Sequence, residues 1–267
     1  MLDTARDRAI GLGYSTGWTV VKAMPRRVSE RAFRAAADMA TVRNGGGTRQ
    51  LRKNLRRVVG PAMSELRMDA LVGDALRSYS RYWLETFRLE AMDHAAVAAS
   101  FEQHMTGKEH IDAGLARGKG VVIALPHSGN WDASGVWLVH HNGPFTTVAE
   151  RLRANRVVCL LADRDLSRNG IEVSFFGEPA RMPAGPALLA AMTGATLHAV
   201  HSYFLDDGWG HSVSAPIELP GAHLREKVTI ATQRLADYFA EGITRYPADW
   251  HMLQRLWLAD LQPRGEH

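Results

Sequence analysis

A histidine and an aspartate with four residues between them, His127 and Asp132, lie in the segment VVIALPHSGNWDASGVWLV at positions 121–139. An imidazole beside a carboxylate suits general-base chemistry. The carboxylate fixes the ring tautomer and stabilises the imidazolium that forms when the ring takes a proton. At this spacing a carboxylate on the first turn of a helix reaches back to an imidazole in the preceding loop. No Gly-x-Ser-x-Gly elbow joins a strand to a helix, and GYSTG at 13–17 follows no strand, so the expected nucleophile is a substrate hydroxyl. Asn130 stands where the helix begins, near first-turn N–H groups that suit developing negative charge, which makes it a candidate substrate-binding residue. The plainer alternative is that Ser128 or Asn130 caps the helix and His127 packs in the turn.

Other chemistries find little support. Gly11, Gly13 and Gly17 follow no strand, as a dinucleotide fingerprint would require, and Gly114 to Lys119 has the wrong spacing for a phosphate loop. Twelve histidines include no His-Glu-x-x-His, and the pairs His140–His141 and His198–His201 lack a third ligand at a recognisable spacing, so no metal is expected. The single cysteine, Cys159, lies in an apolar run and reads as a small core residue.

The dyad needs a strand that delivers it and a helix that follows. Residues 121–125 read as a buried strand stopped by Pro126, and 130–141 as a helix. Strands at 145–149, 157–161, 171–176, 195–204 and 211–219 alternate with helices at 186–193 and 224–241, and a last helix runs from Pro247 to Leu258. Gly177 to Gly185 reads as a loop, 64–92 as a helix pair, and 101–118 as a short strand or turn before a helix. The expected fold is α/β, a mixed central sheet sandwiched by helices, in one domain over 1–267 with its catalytic core at 111–260. Only Glu150 to Arg156 separate the expected strand at 145–149 from the next, too few for a parallel crossover. The two runs form either an antiparallel hairpin or the flanks of a stretch that the chain lacks. With no hairpin turn signal there, the second is expected, seen as a break between about Ala149 and Asn155.

Charge is uneven. Residues 1–60 hold thirteen Lys/Arg and four Asp/Glu, a local balance of +9 within a total of +4. Helices expected at 4–24, 28–42 and 48–59 carry these bases beside aromatic and aliphatic residues. They are read as a layer that lies on an anionic membrane surface. The alternative is a packing layer that shows its bases to water. Nucleic acid is not the expected partner, because no aromatic platform is interleaved with the bases. No run of eighteen uncharged apolar residues occurs and MLDTARDRAI is not a secretory signal, so the expected place is the cytoplasmic face of the plasma membrane.

In order along the chain, LPHSGNWD, VAER, LLADRD, and FFG with MPAGPALLA resemble the glycerolipid-type acyltransferases. The likeness is to the branch of lipid A late acyltransferases and phosphatidylinositol mannoside acyltransferases, with wording nearest the mannoside enzymes. It extends to GYSTGW near the start and to the basic helix that ends NLRRVVGP. The resemblance implies a fatty acyl thioester donor, acyl-CoA as co-substrate with no resident cofactor, and an anionic glycolipid acceptor. It implies His127 as general base and Asp132 as its orienting carboxylate. Glu150 and Arg151 match one pair of site-lining positions, and Arg164 and Asp165 another. For these four, salt bridges that hold loops together are an equal alternative. Family members carry a longer helical segment where this chain has Arg151–Arg156. An acyl slot walled by Val136, Trp137 and the helix at 186–193 is also expected.

Overall fold

The computed structural model describes residues 21–143, 147–167 and 169–261. Most of the helix expected at 4–24 lies outside them. Three helices open the described chain, α1 (Arg26–Arg43), α2 (Gly46–Val59) and α3 (Glu65–Leu89), followed by α4 (His94–Gln103). Next come β1 (Met105–Thr106), α5 (Lys108–Ala116), β2 (Val121–Leu125), α6 (Trp131–Asn142), α7 (Val148–Arg153) and β3 (Val157–Leu161). The remainder is β4 (Ile171–Phe175), β5 (Glu178–Met182), α8 (Gly185–Thr193), β6 (Thr196–Phe204), β7 (Trp209–Val213), α9 (Leu224–Arg245), a 3-10 turn (Pro247–Asp249) and α10 (Leu258–Leu261).

Five strands form a mixed sheet in the order β1-β7-β6-β2-β3. β2 is parallel to both neighbours, Leu125 facing Leu161 on β3 and Ala124 facing Ala199 on β6. All five residues of β2 are buried, which is why VVIAL shows no polar alternation. Its side chains alternate between two cores. Val122 and Ala124 pack with α8, α9 and the β4–β5 hairpin, while Ile123 and Leu125 pack with α4, α5 and α6. This mixed sheet covered by helices matches the expected architecture.

The sheet separates residues that the sequence suggested as walls of one acyl slot. Trp137 belongs to one core, while Ala187 and Ala190 of α8 belong to the other. The apolar cavity beside Trp137, lined also by Phe101, Ile123, Leu125, Cys159 and Val200, holds only about 20 Å³. Burial there pushes the Cys159 thiol up to about 12, which makes it a poor nucleophile.

Several expected elements change. Residues 148–153 form a helix, not the end of a strand, because Thr147 and Glu150 make a reciprocal capping box. The backbone then runs unbroken into β3, with Asn155 and Arg156 N–H groups bonded to Leu152 and Arg151 carbonyls at 3.0 and 2.9 Å. The expected break is therefore absent. With α6 and α7 between β2 and β3, the parallel crossover has the helix it needs. The expected helix pair at 64–92 is the single helix α3. Glu178–Met182 pair with Ile171–Phe175 as an antiparallel hairpin, where a loop was expected. Its turn residues Phe176 and Gly177 both have positive φ, 52° and 78°, as a tight hairpin turn requires. The last expected helix shrinks to Pro247–Asp249 and Leu258–Leu261, and the stretch between them is bound to the site described below.

The N-terminal bases are used partly inside the protein. Leu51 and Leu55 of α2 are fully buried, and Asn54 donates to the Met252 and Gln254 carbonyls. Arg52 and Arg56 pair with Glu65, and Arg57 bridges Glu178 and Asp260 while lying over Trp257. These three arginines hold α2 in place. The exposed apolar residues Val28, Met39 and Val42 lie instead on α1, whose Arg27, Arg31 and Arg43 are exposed. Among the described residues, no helix is long and apolar enough to cross a membrane.

Candidate active site

β2 ends at Pro126, which has no N–H to continue the ladder. The next four residues cross the carboxyl ends of the parallel strands, where open α/β sheets place their ligands. Gly129 has φ 58°, and a Cβ there would come within 2.9 Å of the Ser202 and Tyr203 backbone. Only glycine lets the loop pass that close over β6.

The imidazole of His127 meets a carboxylate, and that carboxylate is Asp163, not Asp132. Nδ1 lies 2.5 Å from Asp163 Oδ1, and the His127 backbone N–H donates to Oδ2 at 3.0 Å. Asp163 follows β3, so parallel pairing of β2 and β3 is what brings the two residues together. Asp163 is fully buried, and burial alone would raise its pKa. The His127 charge and hydrogen bonds and the Trp250 N–H outweigh that and hold it below the usual carboxylate range. An ionised carboxylate only accepts, so Nδ1 carries the proton and Nε2 holds the basic lone pair. Nε2 has no protein partner among the described residues, and the side chain is 27% exposed.

Burial also acts on His127, lowering its pKa, and the nearby Arg164 charge adds to that. The Asp163 charge and hydrogen bond prevail, so the net shift is upward from 6.5. A base must be unprotonated, so activity that depends on His127 falls as pH drops through its folded pKa. The acid limb of kcat/KM is expected above pH 6.5, and Arg164→Gln should move it higher by removing an opposing cation. A pH–rate profile of both proteins measures this, and a limb that moves down in the variant contradicts it.

Asp132 faces α3. Its Oδ2 accepts from the Tyr82 hydroxyl at 2.9 Å and the Thr86 hydroxyl at 3.0 Å. Tyr82 stacks on Trp131 with centroids 3.8 Å apart, and Trp131 stands edge-on to His127 at 5.3 Å. Asp132 thus anchors α6 to α3 beside His127. Asn130 is fully buried with both ends of its amide engaged, accepting from Ala133 N–H and donating to Glu85. It caps α6, as the plainer sequence alternative had it.

Glu150 and Arg151 are not brought to His127. Their helix leads into the start of β3, and a Cβ on Gly120 would touch Leu152 and the Arg156 carbonyl. Gly120 precedes β2, so this is the end of the sheet opposite His127. Glu150 is exposed in its capping box, and Arg151 is buried and donates to the Gly143 carbonyl. Asp165 binds its own loop, accepting from the Ser167 N–H and O–H and from Gly170 N–H. Of the four site-lining candidates, Arg164 is therefore the one whose charge acts on His127.

Two structural supports were not legible as functional in the sequence. One stripe of α3 presents Ser78, Tyr82, Glu85 and Thr86, and Glu85 ties together Arg81, Asn130 and the Trp209 indole. The other is the stretch Asp249-Trp250-His251. Asp249 O accepts from Gly129 N–H at 2.9 Å, and His251 N–H donates to His127 O at 2.8 Å. Asp249 in turn accepts from the Ser78 hydroxyl and Phe204 N–H, and Ser78 also contacts His251 Nε2. Since Ser78 donates its only proton to Asp249, Nε2 of His251 is the donor. Burial and the His127 charge push His251 down to about 3, so it stays neutral.

Among the described residues no group of three His, Cys, Asp or Glu side chains could hold a metal. The model of the bacterial lipid A biosynthesis acyltransferase family matches residues 8–153 and 147–259. The chain belongs to that family. The acyltransferase is also 45% identical over 288 aligned positions to the phosphatidylinositol mannoside acyltransferase of Mycolicibacterium smegmatis, covering 94% of this chain and 92% of the relative. The enzyme of the same name from Mycobacterium tuberculosis is 44% identical over 93% of this chain and 88% of its own length.

The two matched stretches overlap at 147–153, so TVAERLR fits the family pattern in two places. The structure uses it as the helix that enters β3, which is why Glu150 and Arg151 stand away from His127. Of this acyltransferase's 267 residues, 94% is about 251, so the 288 aligned positions include about 37 where it has no residue.

Proposed function

We propose that this acyltransferase moves a fatty acyl group from acyl-CoA to a sugar hydroxyl of a phosphatidylinositol mannoside, with His127 as general base. The observation that carries this reading is the His127–Asp163 pair, with Nε2 left basic at the carboxyl ends of the sheet. The acceptor class rests on the two relatives named above. Nε2 takes the hydroxyl proton as that oxygen attacks the thioester carbonyl, and Asp163 stabilises the imidazolium. First-turn amides of α6 offset the oxyanion. The carbonyl re-forms as the thiolate leaves, and a thiolate needs little acid assistance. The proton on Nε2 then passes to solvent or to the thiolate, and no acyl-enzyme forms. Acyl-CoA is a co-substrate, and the scheme needs no metal or resident cofactor.

The enzyme is read as peripheral, on the cytoplasmic face of the plasma membrane. There the exposed Val28, Met39 and Val42 of α1, with Arg27, Arg31 and Arg43, would meet anionic lipid. Flotation with anionic vesicles tests this placement, and a protein left at the bottom of the gradient refutes it.

Mass spectrometry after mixing the enzyme with palmitoyl-CoA and candidate glycolipids tests the reaction. Acylated phosphatidylinositol mannoside is the expected product. Free palmitate with no acylated lipid would make the protein a thioesterase using the same pair. Acylation only of a lipid A-type or other glycerolipid acceptor would overturn the acceptor assignment.

A further inference from the structure

The carboxylate that orients His127 is itself held from behind. Trp250 is fully buried, and its indole N–H donates to Asp163 Oδ2 at 3.0 Å. Oδ2 also takes the His127 backbone N–H, while Oδ1 takes the imidazole. The three donors therefore set the plane and rotamer of a carboxylate that has no access to water. Of the three, Trp250 is the donor supplied from outside the histidine, on a separate stretch of chain.

That stretch is fixed independently. Trp250 bridges Ser128 in the catalytic loop, its neighbours clamp His127 O and Gly129 N–H, and Asp249 is tied to α3 through Ser78 and to β6 through Phe204. The Trp250 ring is wedged edge-on between Phe175 and Trp257, at 6.0 and 6.1 Å. The indole has little freedom to leave Asp163.

We propose that Trp250 is a positioning residue of the acyl transfer, holding the Asp163 carboxylate in the orientation that keeps His127 Nε2 basic and aimed at the acceptor. The inference rests on His127 acting as the base. Trp250 touches neither substrate nor reacting atoms, so its loss should change turnover and leave binding intact.

The test compares Trp250→Phe with Trp257→Phe. Trp257 is an equally buried indole, but its N–H donates to the Phe175 carbonyl at 2.9 Å and not to Asp163. Trp250→Phe is expected to lower kcat about 10- to 100-fold, the effect of losing one hydrogen bond to a buried charge. KM for acyl-CoA and for the acceptor should stay within about threefold of wild type, and Trp257→Phe should leave kcat within about threefold. The downfield proton resonance of the His127–Asp163 bond should move in the first variant and not in the second. Equal kcat losses in the two variants, or an unmoved resonance in Trp250→Phe, would overturn the proposal. If phenylalanine at 250 prevents folding, benzothienylalanine at that position removes the N–H and keeps the bicyclic shape, with the same outcomes expected. His127→Ala separates the two levels. An active His127→Ala enzyme refutes the base itself, whereas an inactive one beside a wild-type-like Trp250→Phe refutes only the role of Trp250.

Discussion

His127→Ala is expected to cut acyl transfer by about 10²–10⁴-fold, the usual effect of removing a general base. The side chain lines an edge of the site and is 27% exposed, so little core packing is lost. Asp163 keeps the backbone N–H of residue 127 and the Trp250 indole as donors. The variant should therefore fold, with a lower melting temperature because a buried carboxylate has lost one of its hydrogen-bond donors. Product formation from labelled acyl-CoA, read beside a circular-dichroism melt, measures both effects. Transfer within tenfold of wild type would remove His127 from the mechanism.

Asp163→Asn should be nearly as damaging, by up to about 10⁴-fold, while Asp132→Asn should cost less than about tenfold. An amide at 163 can donate to Nδ1, which favours the tautomer with its proton on Nε2 and leaves no lone pair for the substrate. It also removes the charge that stabilises the imidazolium. At 132 an amide oxygen can still accept from Tyr82 and Thr86, so α6 remains docked on α3. The contrast discriminates sharply, because the spacing of His127 and Asp132 alone predicts the reverse order. Steady-state rates for the two variants decide it, and a larger loss at 132 than at 163 would overturn the dyad assigned here.

Much of the frame was legible in residue order. VVIAL stopped by Pro126 reads as a buried strand, and β2 is one. LLAD before Arg164 reads as a strand end, and Asp163 stands there. The pairing of those two ends was not legible, because register between strands thirty residues apart is settled by packing on both faces of the sheet. Residues 145–149 looked like a strand because Thr and Val favour one. The Thr147–Glu150 capping box overrides that local preference. Pro247-Ala-Asp-Trp looked like the start of a helix for an equally local reason. There the backbone groups that a helix would have used bond instead to His127, Gly129 and Tyr246.

Residue types and their order by themselves determined the fold class and the family likeness, and they singled out His127 as the candidate base. These depend on hydrophobic periodicity and short motifs, which are properties of neighbours in the chain. Tertiary structure alone decided which carboxylate serves His127, that Glu85 takes up the Asn130 amide, that Glu150 and Arg151 stand at the far end of the sheet, and that Trp250 stands behind Asp163. Each of those is a contact between distant segments, fixed by strand register and buried hydrogen bonding, and no local spacing encodes it.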